Sequence, residues 1–179
     1  MAEFPAPAEG IVLTHFIVAS DVDRARRFYA GVLGGEVLRD GEPSIIALAN
    51  SWIIINTGGP PTDDKPTVTL ETPRDPDHVS SFLNIRVADI YAVYEQERSR
   101  GAEFLTPPTD RGRELRCYIR DPDGHLIEVG QTTGLPAPAD TVGPALQHKR
   151  KDFPAAAAAA RWVLASARRL RVAGRAERS

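Results

Sequence analysis

The chain has a single cysteine, Cys117, so it can form no intramolecular disulfide, which fits a reducing compartment. No apolar run approaches membrane-spanning length. Met1 to Gly10 holds Glu3, Pro5 and Pro7 and lacks the cationic-then-apolar pattern of a secretory signal. These absences make a cytoplasmic protein the expectation. The formal net charge is only −2, so the whole chain carries no electrostatic case for nucleic acid. Also missing are a nucleotide-binding glycine motif, a nucleophile elbow and a Cys/His metal cluster. What is left is an ordinary soluble composition, 42% apolar and 26% charged.

The 179 residues suffice for one domain plus a tail, or for two small modules sharing a core. Charge is unevenly spread. From His148 to Ser179 nine Lys/Arg face two acidic residues, a balance of +7, which leaves −9 for the rest. Residues 1–10 read as a flexible leader and 135–179 as a Pro/Ala linker with a basic, alanine-rich tail. Strong helix formers over Phe153 to Val172 predict a helix there.

Between these ends an order repeats. Ile11 to Ala19 is a strand candidate, and Asp21 caps a helix with Val22, Ala25, Phe28, Tyr29, Val32 and Leu33 at helical spacing. Gly34-Gly35 ends that helix, and Arg24, Arg26 and Arg27 read as its solvated face. Strands follow at Glu36 to Arg39, Ser44 to Ala49 and Trp52 to Thr57, the last two joined by an Asn50-Ser51 turn. A Gly/Pro/Thr/Asp-rich linker, 58–79, can hold a short extended piece at Thr67 to Glu71. Then Ser81 to Ala88 is a strand, and Asp89 caps a helix carrying Ile90, Val93, Tyr94 and Glu97. Glu103 to Leu105, Arg113 to Arg120 and Leu126 to Gln131 are strands. Val18-Ala19-Ser20-Asp21 answers Arg86-Val87-Ala88-Asp89, and Gly34-Gly35-Glu36-Val37 answers Gly101-Ala102-Glu103-Phe104. The expected fold is α+β: two βαβββ modules, 11–57 and 80–132, within a domain spanning 11–134. Neither closes a sheet alone. Paired across the repeat, they form a curved eight-strand half-barrel with helices outside and a cavity inside.

The last hairpin carries the most informative stretch, Asp121-Pro122-Asp123-Gly124-His125-Leu126-Ile127-Glu128-Val129. Proline presets the turn, Gly124 accepts a positive φ, and His125 reads as exposed. Glu128 interrupts an otherwise apolar strand, and a carboxylate there must be paired, hydrogen-bonded or bound to a cation. This turn with its glutamate four residues after the glycine resembles the closing hairpin of the vicinal-oxygen-chelate superfamily: glyoxalases, extradiol dioxygenases, and fosfomycin and bleomycin resistance proteins. The resemblance covers roughly Ile11 to Thr132. In the metal-dependent members a glutamate at this place is a ligand.

Strand alternation assigns faces. Counted from the helix caps, Thr14, Phe16 and Val18 face the cavity from the first module, and Phe82, Asn84 and Arg86 from the second. Trp52, Ile54, Asn56, Leu126 and Glu128 join them from the closing strands, with Glu114, Arg116 and Tyr118 beside the turn. Cys117 alternates with this set and is expected to be buried and inert. Candidate substrate-binding residues are Phe16, Trp52, Asn56, Phe82, Asn84, Arg86, Arg116 and Tyr118. Glu128 and His15 are the candidate catalytic pair.

The resemblance places metal ligands on the first and last strands of each module. Those places read Thr14, Ile54, Phe82 and Glu128, so no cofactor is expected. The alternative is a divalent metal held by Glu128 and His15. His15 is one residue out of phase and needs a β-bulge to reach the cavity. Equally, Glu128 can be ion-paired with Arg86 or Arg116. Three functions stay open: metal-independent binding or modification of a small organic molecule, a metal-dependent lyase or dioxygenase of glyoxalase type, and non-catalytic drug sequestration as in resistance relatives. A homodimer is one expected partner state; no nucleic-acid or membrane partner is expected.

Overall fold

The computed structural model describes residues 11–133, and the expected leader 1–10 and basic tail, with its Phe153 to Val172 helix, lie outside them. β1 (His15–Val18) leads through Asp21 into α1 (Val22–Arg27), which continues as a π-helical segment (Phe28–Val32). β2 (Glu36–Arg39), β3 (Ser44–Leu48) and β4 (Ser51–Asn56) complete the first module. The second repeats the order with β5 (Leu83–Arg86), α2 (Ile90–Ser99), β6 (Thr109–Asp110), β7 (Glu114–Arg120) and β8 (Leu126–Thr132). The aspartate caps read from the repeat form as expected. Asp21 accepts from Arg24 N at 2.9 Å, and Asp89 accepts from Ala92 N at 3.0 Å.

Each module makes one four-stranded sheet, ordered β1-β4-β3-β2 and β5-β8-β7-β6. In each, the first and last strands run parallel and the rest antiparallel. The two sheets together give the half-barrel-like α+β arrangement that the repeat predicts. Hydrogen-bonded ladders, however, stay within each module; among the described residues no strand pairs across the repeat. A side chain takes a carbonyl of β1 instead: His125 Nε2 lies 2.8 Å from Val18 O.

The modules are joined by a shared core. Ile17, Ile46, Ile53 and Ile55 of the first sheet form one buried cluster with Val22, Ala25 and Tyr29 of the helix and with Ile119 and Ile127 of the second sheet. Polar contacts add to it. Tyr29 OH donates to Asp121 Oδ2 at 3.1 Å, and Arg24 Nη2 meets Asp123 Oδ1 at 2.8 Å, with Ser20 on the same oxygen. Arg24 is therefore a tether between modules rather than part of a solvated face, and Arg26 pairs with Asp23 and Asp40.

Other departures have local causes. Glu103 to Leu105 is not a strand: Phe104 makes one isolated bridge with Ile119, and Pro107-Pro108, which cannot donate to a ladder, precede the two-residue β6. The β3–β4 turn is Ala49-Asn50, with Ala49 at φ 53°, so Ser51 already belongs to β4. The extended piece in the linker reduces to a bridge between Gly59 and Leu70. No helix among the described residues is long and apolar enough to cross a membrane.

Candidate functional site

Register brings the polar residues of the second sheet into rows. Asn84 on β5, Glu128 on β8 and Tyr118 on β7 are direct neighbours, and so are Arg86, Gly130 and Arg116 one pair along. Period-two alternation puts both rows on one face, as the strand phase predicts. Glu128 is only 3% exposed. Asn84 Nδ2 donates to its Oε1 and Tyr118 OH to its Oε2, each at 2.6 Å. Arg86 Nη1 stands 3.5 Å from the first oxygen and Arg116 Nη1 3.9 Å from the second. Burial, and then the bond to Glu128, raise the Tyr118 phenol above its ordinary value, so it stays a donor.

Glu114, at the start of β7, extends the network. Its Oε2 accepts from Arg86 Nη1 at 3.0 Å, and its Oε1 lies 3.3 Å from Arg116 Nε. Arg86 Nη2 also donates to Thr132 Oγ1 at 2.9 Å. The guanidinium can lie this close to β8 because Gly130 has no side chain: a Cβ there would meet Arg86 Nη1 at 2.1 Å and Cζ at 2.9 Å. Phe82 flanks the cluster, edge-on to the Tyr118 ring with centroids 6.2 Å apart.

Phe82 also borders a cavity of about 420 Å³ between β1, the linker and the start of β8. Phe16 and Leu126 give it apolar wall, and His15, His78 and His125 polar wall. Phe16 and Phe82 are 46% and 44% exposed, so both rings can be reached from solvent. His125, expected to be exposed, is half-buried and fixed on Val18 O. No local pattern marks this contact, because the carbonyl lies in the other module.

Trp52 and Asn56 sit elsewhere. Trp52 is buried with Ile45 and Ala47, with Val12 packed against them, and neither it nor Asn56 borders the cavity. His15 borders the cavity without the expected bulge: it pairs with Ile53 in an unbroken β1–β4 register, on the strand face opposite Phe16. Burial lowers its pKa from 6.5, helped by nearby His125 and opposed by Asp121. The structure does not bring His15 to Glu128.

Residues 12–129 match the family model of the Glyoxalase/Bleomycin resistance protein/Dioxygenase superfamily. The chain belongs to this superfamily. It is 26% identical over 121 residues to a lactoylglutathione lyase from Haemophilus influenzae, covering 65% of this chain and 89% of that protein. Among solved structures it resembles the fosfomycin resistance protein FosX from Mesorhizobium loti, with a TM-score of 0.51 and 19% identity over 71% of this chain and 95% of that one. An antibiotic binding protein from a Streptomyces species has the same TM-score at 20% identity, covering 72% and 100%. At such identities the structural likenesses speak for the fold alone.

For this member of the superfamily the donor set can be tested against a metal ion. The places where the resemblance puts ligands hold Thr14, Ile54, Phe82 and Glu128, and Ile54 and Phe82 have no side-chain donor atom. Both Glu128 oxygens are hydrogen-bonded, and two guanidiniums stand within 4 Å of them, where a cation would be repelled. Among the described residues no group of three His, Cys, Asp or Glu is placed to hold a metal ion. The residues present do not fit the metal of the metal-dependent relatives.

Proposed function

We propose that the protein binds a small organic molecule on the open face of the second sheet and in the adjoining cavity, without a metal ion. The observation that carries this is the state of Glu128. Its hydrogen bonds and flanking cations make it the anchor of a preformed polar surface. The groups left for a ligand are the faces of Phe16 and Phe82, the Tyr118 ring edge and the guanidiniums of Arg86 and Arg116. An apolar wall with a few fixed polar groups suits a small-molecule site, and about 420 Å³ accommodates one. The names of the similar proteins, a lyase, a fosfomycin resistance protein and an antibiotic binding protein, support this class of ligand.

Two measurements test the reading. Metal analysis of protein purified without chelator is expected to find no stoichiometric divalent ion, and a ligand screen by thermal shift is expected to find stabilising organic molecules. Stoichiometric metal that is lost on Glu128→Ala would overturn it in favour of the metal-dependent lyase or dioxygenase. Turnover of a bound molecule would separate modification from sequestration. A homodimer belongs to the same proposal. Ile11 and Leu13, 90% and 84% exposed ahead of β1, are apolar surface that a second copy would cover. Light scattering is expected to give twice the chain mass, and Leu13→Asp to halve it.

A further inference from the structure

We propose that Arg86 and Arg116 form a carboxylate-binding clamp that Glu114 occupies from within, so that the ligand of this face is a small aromatic carboxylate and Glu114 controls its entry. This rests on the reading that the face binds a small molecule, and it adds the chemical class and the gate.

The two carboxylates of the cluster differ in how they are held. The Glu128 side chain is 4% exposed and fixed by Asn84 and Tyr118. The Glu114 side chain is 30% exposed and sits between the guanidiniums, 3.0 Å from Arg86 Nη1 and 3.3 Å from Arg116 Nε. It leaves from the first residue of β7, just after Gly112 at φ 83°, on the rim of the sheet. An ion pair this exposed is weak and salt-screened, so it is easily given up. Glu114 can rotate into water with the backbone unchanged.

What it vacates is prebuilt for another carboxylate. Arg86 is held over Gly130 by Thr132 and faces the place from one side. From the other side Arg116 Nε is buried and makes no hydrogen bond, because the nearby Glu114 oxygen is badly aligned. A carboxylate free to choose its angle can satisfy that N–H, which a side chain tethered to β7 does not. With Glu114 withdrawn, two guanidiniums face one fixed carboxylate, leaving one positive charge for the ligand. The aromatic requirement comes from Phe82, which is exposed, packs on Tyr118 and continues the face into the cavity. Guanidinium planes beside it also favour a ring.

The test uses the full chain with benzoate as probe and benzamide as its uncharged counterpart, followed by calorimetry at low and high salt. Because Glu114 competes from within, apparent affinity is cut by the fraction of time the clamp is vacant. Glu114→Ala is expected to tighten benzoate severalfold, with no gain for benzamide, and the gain is expected to shrink in high salt. Adding Arg86→Gln is expected to abolish it. Glu114→Gln, which keeps the shape and removes the charge, is expected to give a smaller gain and serves if the alanine variant does not fold. The clamp is overturned if benzoate gains nothing, or if benzamide gains equally, while another molecule from the screen still binds. If nothing in the screen binds wild type, the proposed function itself fails, whatever benzoate does on the variants.

Discussion

Glu128 and Glu97 are both buried in the second module, and what surrounds each decides its behaviour. Glu128 has two hydrogen bonds and two cations. Glu97 on α2 is equally buried, but its Oε2 has no partner. Burial lifts the Glu97 carboxyl from 4.5 to about 7, against the pull of Arg100. The fold then holds more protons than the unfolded chain between these values. Stability falls as pH rises through that window and stays reduced above it, by on the order of 3 kcal/mol. Glu97→Gln is expected to recover part of this above neutrality, on the order of 2 kcal/mol, and to gain nothing below about pH 4.5. Urea melts on both sides of the window check it; an equal effect at both pH values would sink the assignment. Tyr118→Phe, which strips a 2.6 Å bond from buried Glu128, is expected to cost about 1.5–3 kcal/mol by the same melts. The polar face was legible because alternation puts Asn84, Arg86, Tyr118 and Glu128 together. Glu97 also gave a signal, sharing helical spacing with Ile90, Val93 and Tyr94. The partners that close the network, Thr132 and the bare Gly130, were not legible, since only coordinates show where the Arg86 guanidinium lies.

The β7–β8 hairpin is the element on which most contacts between modules converge. Asp121 Oδ1 accepts from Asp123 N at 3.0 Å and His125 N at 2.8 Å, while Oδ2 accepts from Tyr29 OH of the first module. Removing a group so placed leaves several buried donors unsatisfied. Asp121→Ala is expected to cost at least about 2 kcal/mol. Asn at the same place, which keeps an acceptor, is expected to cost less. Equal losses in denaturant melts would mean the hydrogen bonds are not what holds the turn. Gly124 is constrained twice, by φ 90° and by Pro76, whose Cβ would lie 2.9 Å from an added Cβ. The turn itself could be read from Asp-Pro-Asp-Gly. Its docking could not, because a local motif says nothing of a tyrosine 92 residues away. The same limit explains β6, where two prolines erase the pattern of a strand, and the π-helical segment, whose apolar residues keep ordinary helical spacing.

At the scale of the whole molecule the repeat was the strongest signal, since two copies of one cap-and-glycine pattern constrain each other. It fixed the number of modules but not how they meet. The meeting is a core question, and it bears on where the domain ends. The eight strands of the described residues lie within 15–132, and each has a ladder partner there. Among the described residues, the three buried clusters draw on residues from Val12 to Val129, and Thr133 N still bonds to Arg113 O. We therefore expect a chain ending near Gly134 to keep the fold. Hydrophobic burial scales with apolar area removed from water, and the described residues already form both sheets and the core between them. Urea unfolding of the shortened chain is expected to stay a single cooperative transition, with its midpoint close to that of the full chain. A broad transition, or protein recovered only as aggregate, would mean that residues after 134 complete the core. A shortened chain that folds but changes mass in light scattering, in a salt-dependent way, would instead assign the +7 segment to contacts between acidic subunits.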